Sequence, residues 1–285
     1  MNNKNKIITF HHKNDNFKDI FKLNFFALQV GKSICNIDLE INSDDIGDNI
    51  SFKNKSFCEL TGIYWAWKNL NPNYDYIGFM HYRRIFSPNF FFLQRIINMK
   101  DYYLKVLKSM FFEFKEDLFL VNTVKVYNNN CLIVNMKSIN NFIDKELAKY
   151  DVVLPKKISY KYLSLEQQYA RFHDSSDFDK FNLLIKSKYP EFGVHLRKVS
   201  SCKKFYAYNM FIMKREIFDD YCKKLFAILF DLEGIISIDS KSDYQKRVFG
   251  FIGERFLNVY IDYLKGKRDL KIKELNVLSL KELEI

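Results

Sequence analysis

Residues 56–86 constrain this chain more than any other stretch; they read SFCELTGIYWAWKNLNPNYDYIGFMHYRRIF. Ser56 and Glu59 have the spacing of a capping box, in which a hydroxyl and a carboxylate satisfy the orphan amides of a helix start reciprocally. Phe57, Leu60, Tyr64 and Trp67 then recur at helical intervals and predict one apolar stripe. Asn71, Pro72 and Asn73 stop the helix and turn the chain. Residues 76–80 are short, apolar and bounded, as a buried strand would be, and they run straight into His81, Tyr82, Arg83 and Arg84. A buried strand that ends in cationic and hydrogen-bonding side chains is how many α/β enzymes present groups to a ligand. This cluster suits a diphosphate.

A chain of 285 residues has room for one large domain or two small ones, with a sizeable core. Its 48% hydrophobic and 28% charged content excludes disorder. The 29 Phe and 18 Tyr, with abundant Asn, Lys and Ile, reflect an AT-rich coding composition, so aromatic and Lys counts carry no functional weight. The formal charge of +11 favours anionic partners. The basic residues are spread along the chain, however, without a zinc-finger spacing, an RNA-recognition signature or a long basic helix, so nucleic acid is not expected as a partner. Cys35, Cys58, Cys131, Cys202 and Cys222 are scattered and lack a CxxC pair. That argues against a disulfide framework or zinc site and fits a reducing cytoplasm. The first residues, MNNKNKIITF, lack the apolar core of a signal peptide. No uninterrupted apolar run reaches the ~18 residues a bilayer span needs, so a soluble or peripheral protein is expected.

Strands alternate with helices along the rest of the chain. Residues 6–10 predict a first strand, followed by His11, His12 and Lys13; residues 14–40 carry no clear pattern. Residues 43–49 are an acidic loop with Asp44, Asp45 and Asp48. Residues 87–118 are aromatic, basic and broadly helical; a buried or lid helix is favoured over one lying on a membrane surface. A strand is expected at 151–155, a capped helix at 164–173, a helix at 177–188, and a strand at 205–213 interrupted by Asn209. Two long helices at 214–233 and 243–264 and a last strand near 270–280 complete the series. Alternation of this kind indicates α/β. A single domain over 1–285, with a variable helical insertion at about 87–130, fits better than two independent domains.

Six ordered blocks carry a resemblance. GDNIS (47–51), CELTGIYWAWKN (58–69), YIGFMHYRR (76–84), DVVLPKK (151–157), YNMFIMKRE (208–216) and YQKRVFGFIGERFLNVY (244–260) resemble the bacterial family known as domain of unknown function 4422. The resemblance implies a GT-A-like nucleotide-sugar-binding sandwich with a mixed central sheet. It also implies a glycosyltransferase of capsular polysaccharide or lipopolysaccharide synthesis, with a UDP-sugar, a galactose form among them, as the favoured donor. The acceptor is then a glycan, expected to be lipid-linked, with the protein cytoplasmic or peripheral at the inner membrane.

GT-A enzymes usually end a central strand with Asp-x-Asp, which holds a divalent metal on the diphosphate. Here the comparable strand ends in His81-Tyr82-Arg83-Arg84. Fixed guanidinium groups match phosphate oxygens bidentately and can stabilise a departing nucleoside diphosphate. Arg83 and Arg84 are therefore expected to do so without metal, with His81 as an added donor. Carboxylates suit Mg²⁺ or Mn²⁺, so the acidic loop keeps a metal-dependent alternative open.

His11, His12 and Lys13 all follow the first strand, where the nucleotide often sits in such folds; His12 reads equally as a surface residue, so His11 and Lys13 are preferred for the nucleotide. Asp45 and Asp48 are nucleotide-sugar candidates, although Asp favours turns for its own reasons. Asn209, a polar interruption in an apolar strand, and Gln245 are acceptor-binding candidates. Glu254 and Asp243 are the candidate catalytic carboxylates, and an ion pair with Arg255 is the bland alternative for Glu254. Trp65 and Trp67 read as core; His173 and His195 stay unassigned. A non-catalytic binder of phosphorylated glycans or another polyanion such as nucleic acid, using the same cations, is the competing class.

Overall fold

The computed structural model describes residues 4–14, 18–88, 123–126 and 129–280. The first strand, β1 (Asn5–His11), lies parallel to β2 (Phe26–Gln29) on one side and to β4 (Tyr76–His81) on the other. The short β3 (Asn42–Ser43) adds in parallel outside β2. Beyond β4 come β10 (Phe211–Lys214), antiparallel, then β7 (Val152–Pro155) and the first half of β11 (Ile272–Leu280). The continuous run is β3-β2-β1-β4-β10-β7-β11, in which only β10 runs against the rest. A tight hairpin turns β4 into β5 (Arg84–Ser87). The second half of β11 pairs with β5 and with β6 (Thr123–Val126). Most of the expected 87–130 insertion, including its helical character, lies outside the described residues.

The central β4, β7 and β10 are largely apolar and buried because both faces of the sheet are covered. Period-two alternation sends Ile8, Phe10, Ile77 and Phe79 into one core, and Ile7, Tyr76 and Met80 into the other. The first core lies under α3 (Leu60–Asn69), α8 (Arg215–Glu233) and α9 (Val248–Lys267). The smaller α5 (Leu165–Phe172), α6 (Ser175–Lys188) and α7 (Gly193–Ser200) pack beside them. The second core lies under α1 (Lys18–Asn24) and α4 (Asn129–Lys145). Each fully buried Phe or Ile contributes roughly 1.5–3 kcal/mol relative to exposure. The chain is thus mixed α/β with a central mixed sheet between two helical layers.

Local expectations fared unevenly. Ser164 and Gln167 do form a reciprocal capping box at the start of α5. The one expected at Ser56 and Glu59 does not form. Residues 54–57 are a separate short helix, α2 (Asn54–Phe57), in which the Ser56 hydroxyl donates to the Lys53 carbonyl. Cys58 breaks the path with φ +53°, and α3 begins after Glu59 without a side-chain cap. The apolar stripe survives across this break: Phe57 and Leu60 are buried, while Tyr64 and Trp67 pack against Phe226 of α8. The predicted strand 205–213 splits into β9 (Lys204–Phe205), paired with β8 (Ile158–Ser159), and β10. The helix expected from 243 starts at Val248, after a 3-10 turn at Gln245–Arg247. Residues 14–40 contain α1 and β2.

Candidate functional site

The chain leaves β1 toward β2 on one side and returns to β4 on the other, so the order reverses between β1 and β4. In open α/β sheets this switch point leaves a crevice at the carboxyl ends of the two strands. A cavity of about 930 Å³ occupies that position. Its walls carry His12 and Phe10 from the end of β1, residues 81–84 from the β4–β5 hairpin, the first turns of α2 and α9, and Cys58 and Glu59 just before α3.

One wall is cationic. His12 meets Tyr82 edge-on at 4.9 Å, and the Arg83 guanidinium lies 5.0 Å from the Tyr82 ring centre. Burial holds the His12 imidazole below its ordinary pKa, and Lys13, His81, Arg83 and Arg247 push it the same way. Arg247 packs over Phe251 and donates from Nε to Cys58 Sγ at 3.2 Å. Arg84, exposed, stacks 4.5 Å above the Tyr208 ring. Burial and then Glu59 push the Cys58 thiol up to about 11, against Arg247, so it stays protonated near neutrality.

The floor is a strained turn. Tyr208 and Asn209 have φ +78° and +49°, a region that disfavours side chains other than glycine and costs of order 1–3 kcal/mol per residue. Ties from three elements hold it. His81 Nε2 donates to the Tyr208 carbonyl at 2.5 Å, and the Tyr208 amide donates to Glu254 Oε1 at 2.5 Å. Asn209 Nδ2 donates to Glu59 Oε1 at 2.7 Å and to the Gly250 carbonyl at 3.3 Å. Behind the turn, Glu254 Oε2 pairs with Arg255 Nη1 at 2.7 Å, and Arg255 Nη2 donates to Gln168 Oε1 at 2.5 Å. A carbonyl oxygen only accepts, so the His81 contact requires its proton on Nε2. Burial lowers the His81 pKa; Arg84 and His11 add to this, against Glu59 and the Tyr208 carbonyl. The neutral ring has therefore committed its one N–H, and the expectation of His81 as a donor to a ligand is corrected.

Six of the sequence candidates come together here: His81, Arg83, Arg84, Asn209, Asp243 and Glu254. Five do not line the cavity. His11 is fully buried on the opposite face of β1, against Phe21 and 3.1 Å from Thr9 Oγ1, because strand alternation turns it away from Phe10. Lys13 does not line the cavity, but its charge acts on His12. Asp45 accepts from the Ser43 hydroxyl within its own loop. Asp48 accepts from Tyr64 and faces Lys68. Gln245 donates to the Phe172 carbonyl.

Asp44 is structural too: it is fully buried and takes donors from Gly31, Lys32, Ser51 and Thr61. Among the described residues no three His, Cys, Asp or Glu side chains converge to hold a metal ion. The acidic loop does not fit the metal-dependent alternative. Sequence reading passed over Glu59, which looked like a cap, His12, which looked like surface, and Arg247, inside one of the quoted blocks.

Comparisons add three findings. A family model described as "Domain of unknown function (DUF4422)" matches residues 6–266. The apo structure of the WbbM bifunctional glycosyltransferase superposes with a TM-score of 0.75 at 31% identity. The match covers 98% of this chain but only 46% of that one, so this chain spans about half its length. No curated protein matches.

Proposed function

This chain belongs to the DUF4422 family, and on that footing we propose that it is a glycosyltransferase with a GT-A-like nucleotide-sugar fold. It moves a hexose from a nucleotide donor, a UDP-sugar first among them, to a lipid-linked capsular or lipopolysaccharide glycan. The observation that carries the reading is the cationic wall at the switch point: Arg83, Arg84, Arg247 and His12 around one cavity. The similarity to WbbM, named a bifunctional glycosyltransferase, supports the reaction class.

In this reading the diphosphate lies against Arg83 and Arg84. As the bond between the anomeric carbon and the phosphate oxygen breaks, its electron pair goes to the diphosphate. Fixed guanidinium donors stabilise that charge without reorganising. Asn209 and Asp243 stand on the acceptor side. Glu254 has both carboxylate oxygens engaged, so its part is to hold the Tyr208–Asn209 turn.

Among the described residues no helix is long and apolar enough to cross a membrane.

The test is a thermal-shift series with UDP-, GDP-, dTDP- and CMP-sugars, with and without Mn²⁺, because a ligand that binds only the native state raises the melting temperature. One nucleotide class should stabilise the protein. Arg83→Ala should weaken that class about tenfold or more, the scale of a hydrogen bond to a charged group. Indifference to all four, with salt-sensitive binding of unrelated polyanions, would replace the transferase by a polyanion-binding protein.

A further inference from the structure

We propose that Glu59 is the carboxylate that takes the acceptor's proton in the transfer, a role that rests on the transferase reading above. Among the carboxylates lining the cavity, Glu59 differs from Glu254 and Asp243 in what is left free. Glu254 spends one oxygen on the Tyr208 amide and the other on Arg255. Asp243 stands fully in solvent at the rim, 3.3 Å from Lys246, where water competes for any proton it would move. Glu59 is half-buried in the wall, with Oε1 held by Asn209 at 2.7 Å. Among the described residues its other oxygen makes no hydrogen bond.

Its position suits the task. Glu59 immediately precedes α3, whose first amides favour a negative charge there. Its charge acts on both His81 and Arg247, so it lies between the strand-end cluster and the start of α9. The bond to be broken would lie beside those cations.

The cost of holding Glu59 is visible in its partner. Asn209 is 1% exposed and sits at positive φ. It gives both amide contacts to Glu59 and Gly250 while, among the described residues, its own Oδ1 is enclosed without a hydrogen bond. A buried acceptor left unpaired on a strained backbone is what a site, rather than a scaffold, tends to contain.

In the step itself the acceptor hydroxyl oxygen bonds to the anomeric carbon and its proton passes to Glu59 Oε2. The anomeric carbon–oxygen bond to phosphate breaks, and that electron pair leaves on the nucleoside diphosphate. Glu59 then returns the proton to solvent. Attack opposite the leaving group inverts the anomeric configuration.

The experiment compares wild type, Glu59→Gln and Asn209→Ala with the nucleotide-sugar that stabilises the wild type. It reads release of the nucleoside diphosphate, with water as the acceptor, and the thermal shift by the same nucleotide. A Gln at 59 can still accept from Asn209 but cannot take a proton. We expect it to lower kcat by about 10²–10⁴, the usual share of general-base catalysis, with the donor's KM and the thermal shift unchanged. Asn209→Ala keeps the carboxylate and should retain more turnover than Glu59→Gln. Wild-type-like turnover in Glu59→Gln overturns the proposal, and so does loss of nucleotide binding in that variant, which would make Glu59 a binding or scaffold group. A wild type that neither binds nor cleaves any nucleotide-sugar overturns the transferase reading itself, and this role with it.

Discussion

A single side chain, Glu254, shows how this site trades stability for shape. It neutralises Arg255, which is 2% exposed and lies between the Tyr169 and Phe205 rings, and it accepts the amide of a residue at φ +78°. Glu254→Ala would leave a buried guanidinium without its counter-charge. The expected destabilisation is about 3–5 kcal/mol, read from the shift in a urea unfolding midpoint at constant m-value. Glu254→Gln should cost less, because a carbonyl oxygen still meets Tyr208. The sequence alone offered Glu254 as a base or, slightly ahead of that, as the partner of Arg255, its neighbour in the chain, and its hydrogen bonds to the Tyr208 amide and Arg255 fit the partner. At Glu59 a local spacing rule pointed to a cap, and a partner 150 positions away took the carboxylate instead.

At the level of elements, the site depends on how closely α3 approaches β1. Gly62 makes this approach possible. A Cβ there would lie 2.5 Å from the Phe10 ring and 2.7 Å from Val30. Both neighbours are side chains of the cavity wall, so the helix cannot gain a methyl group without moving the wall. Gly62→Ala should destabilise the fold by about 1–3 kcal/mol and reduce the thermal shift given by the preferred nucleotide. Van der Waals relief by a shift of Phe10 alone would leave the nucleotide response intact, and that outcome would count against the coupling. Elements of this kind were legible where apolar periodicity was long: β4, α8 and most of α9 fall where the pattern put them. The 243–264 and 205–213 segments are each broken where their apolar periodicity predicts one element. The 3-10 turn at Gln245–Arg247 and the turn at Tyr208–Asn209 are held by contacts from other elements, which periodicity does not register.

Across the whole molecule, burial and ion pairing make the native state averse to protons. Burial, reinforced by Arg255 and Arg247, lowers the His173 pKa to about 3, so the folded protein keeps this ring neutral. His12 and His81 shift the same way. The unfolded chain takes up these protons below about pH 6.5, so stability is full above that pH and is lost as pH falls toward the folded value. Asp174 follows at lower pH: hydrogen bonds from Lys241 and Ser176 hold it near 2, so its contribution is lost from about pH 4 downward. Asp177, raised by burial, offsets part of this. The denaturant midpoint should therefore begin to fall near pH 6.5, well before carboxylates titrate, and His173→Phe should flatten that first limb. An unchanged midpoint down to about pH 4.5 would contradict it. Sequence by itself determined the α/β class, the strand that runs into Arg83 and Arg84, and the resemblance that led to the family, because apolar periodicity and adjacent residues are local properties of a chain. Which of its polar residues share a cavity was decided only by tertiary structure. Strand alternation turned His11 inward and His12 toward the cavity, and the reversal at β1 and β4 brought Glu59, Asn209, Arg247 and Glu254 together from distant parts of the chain.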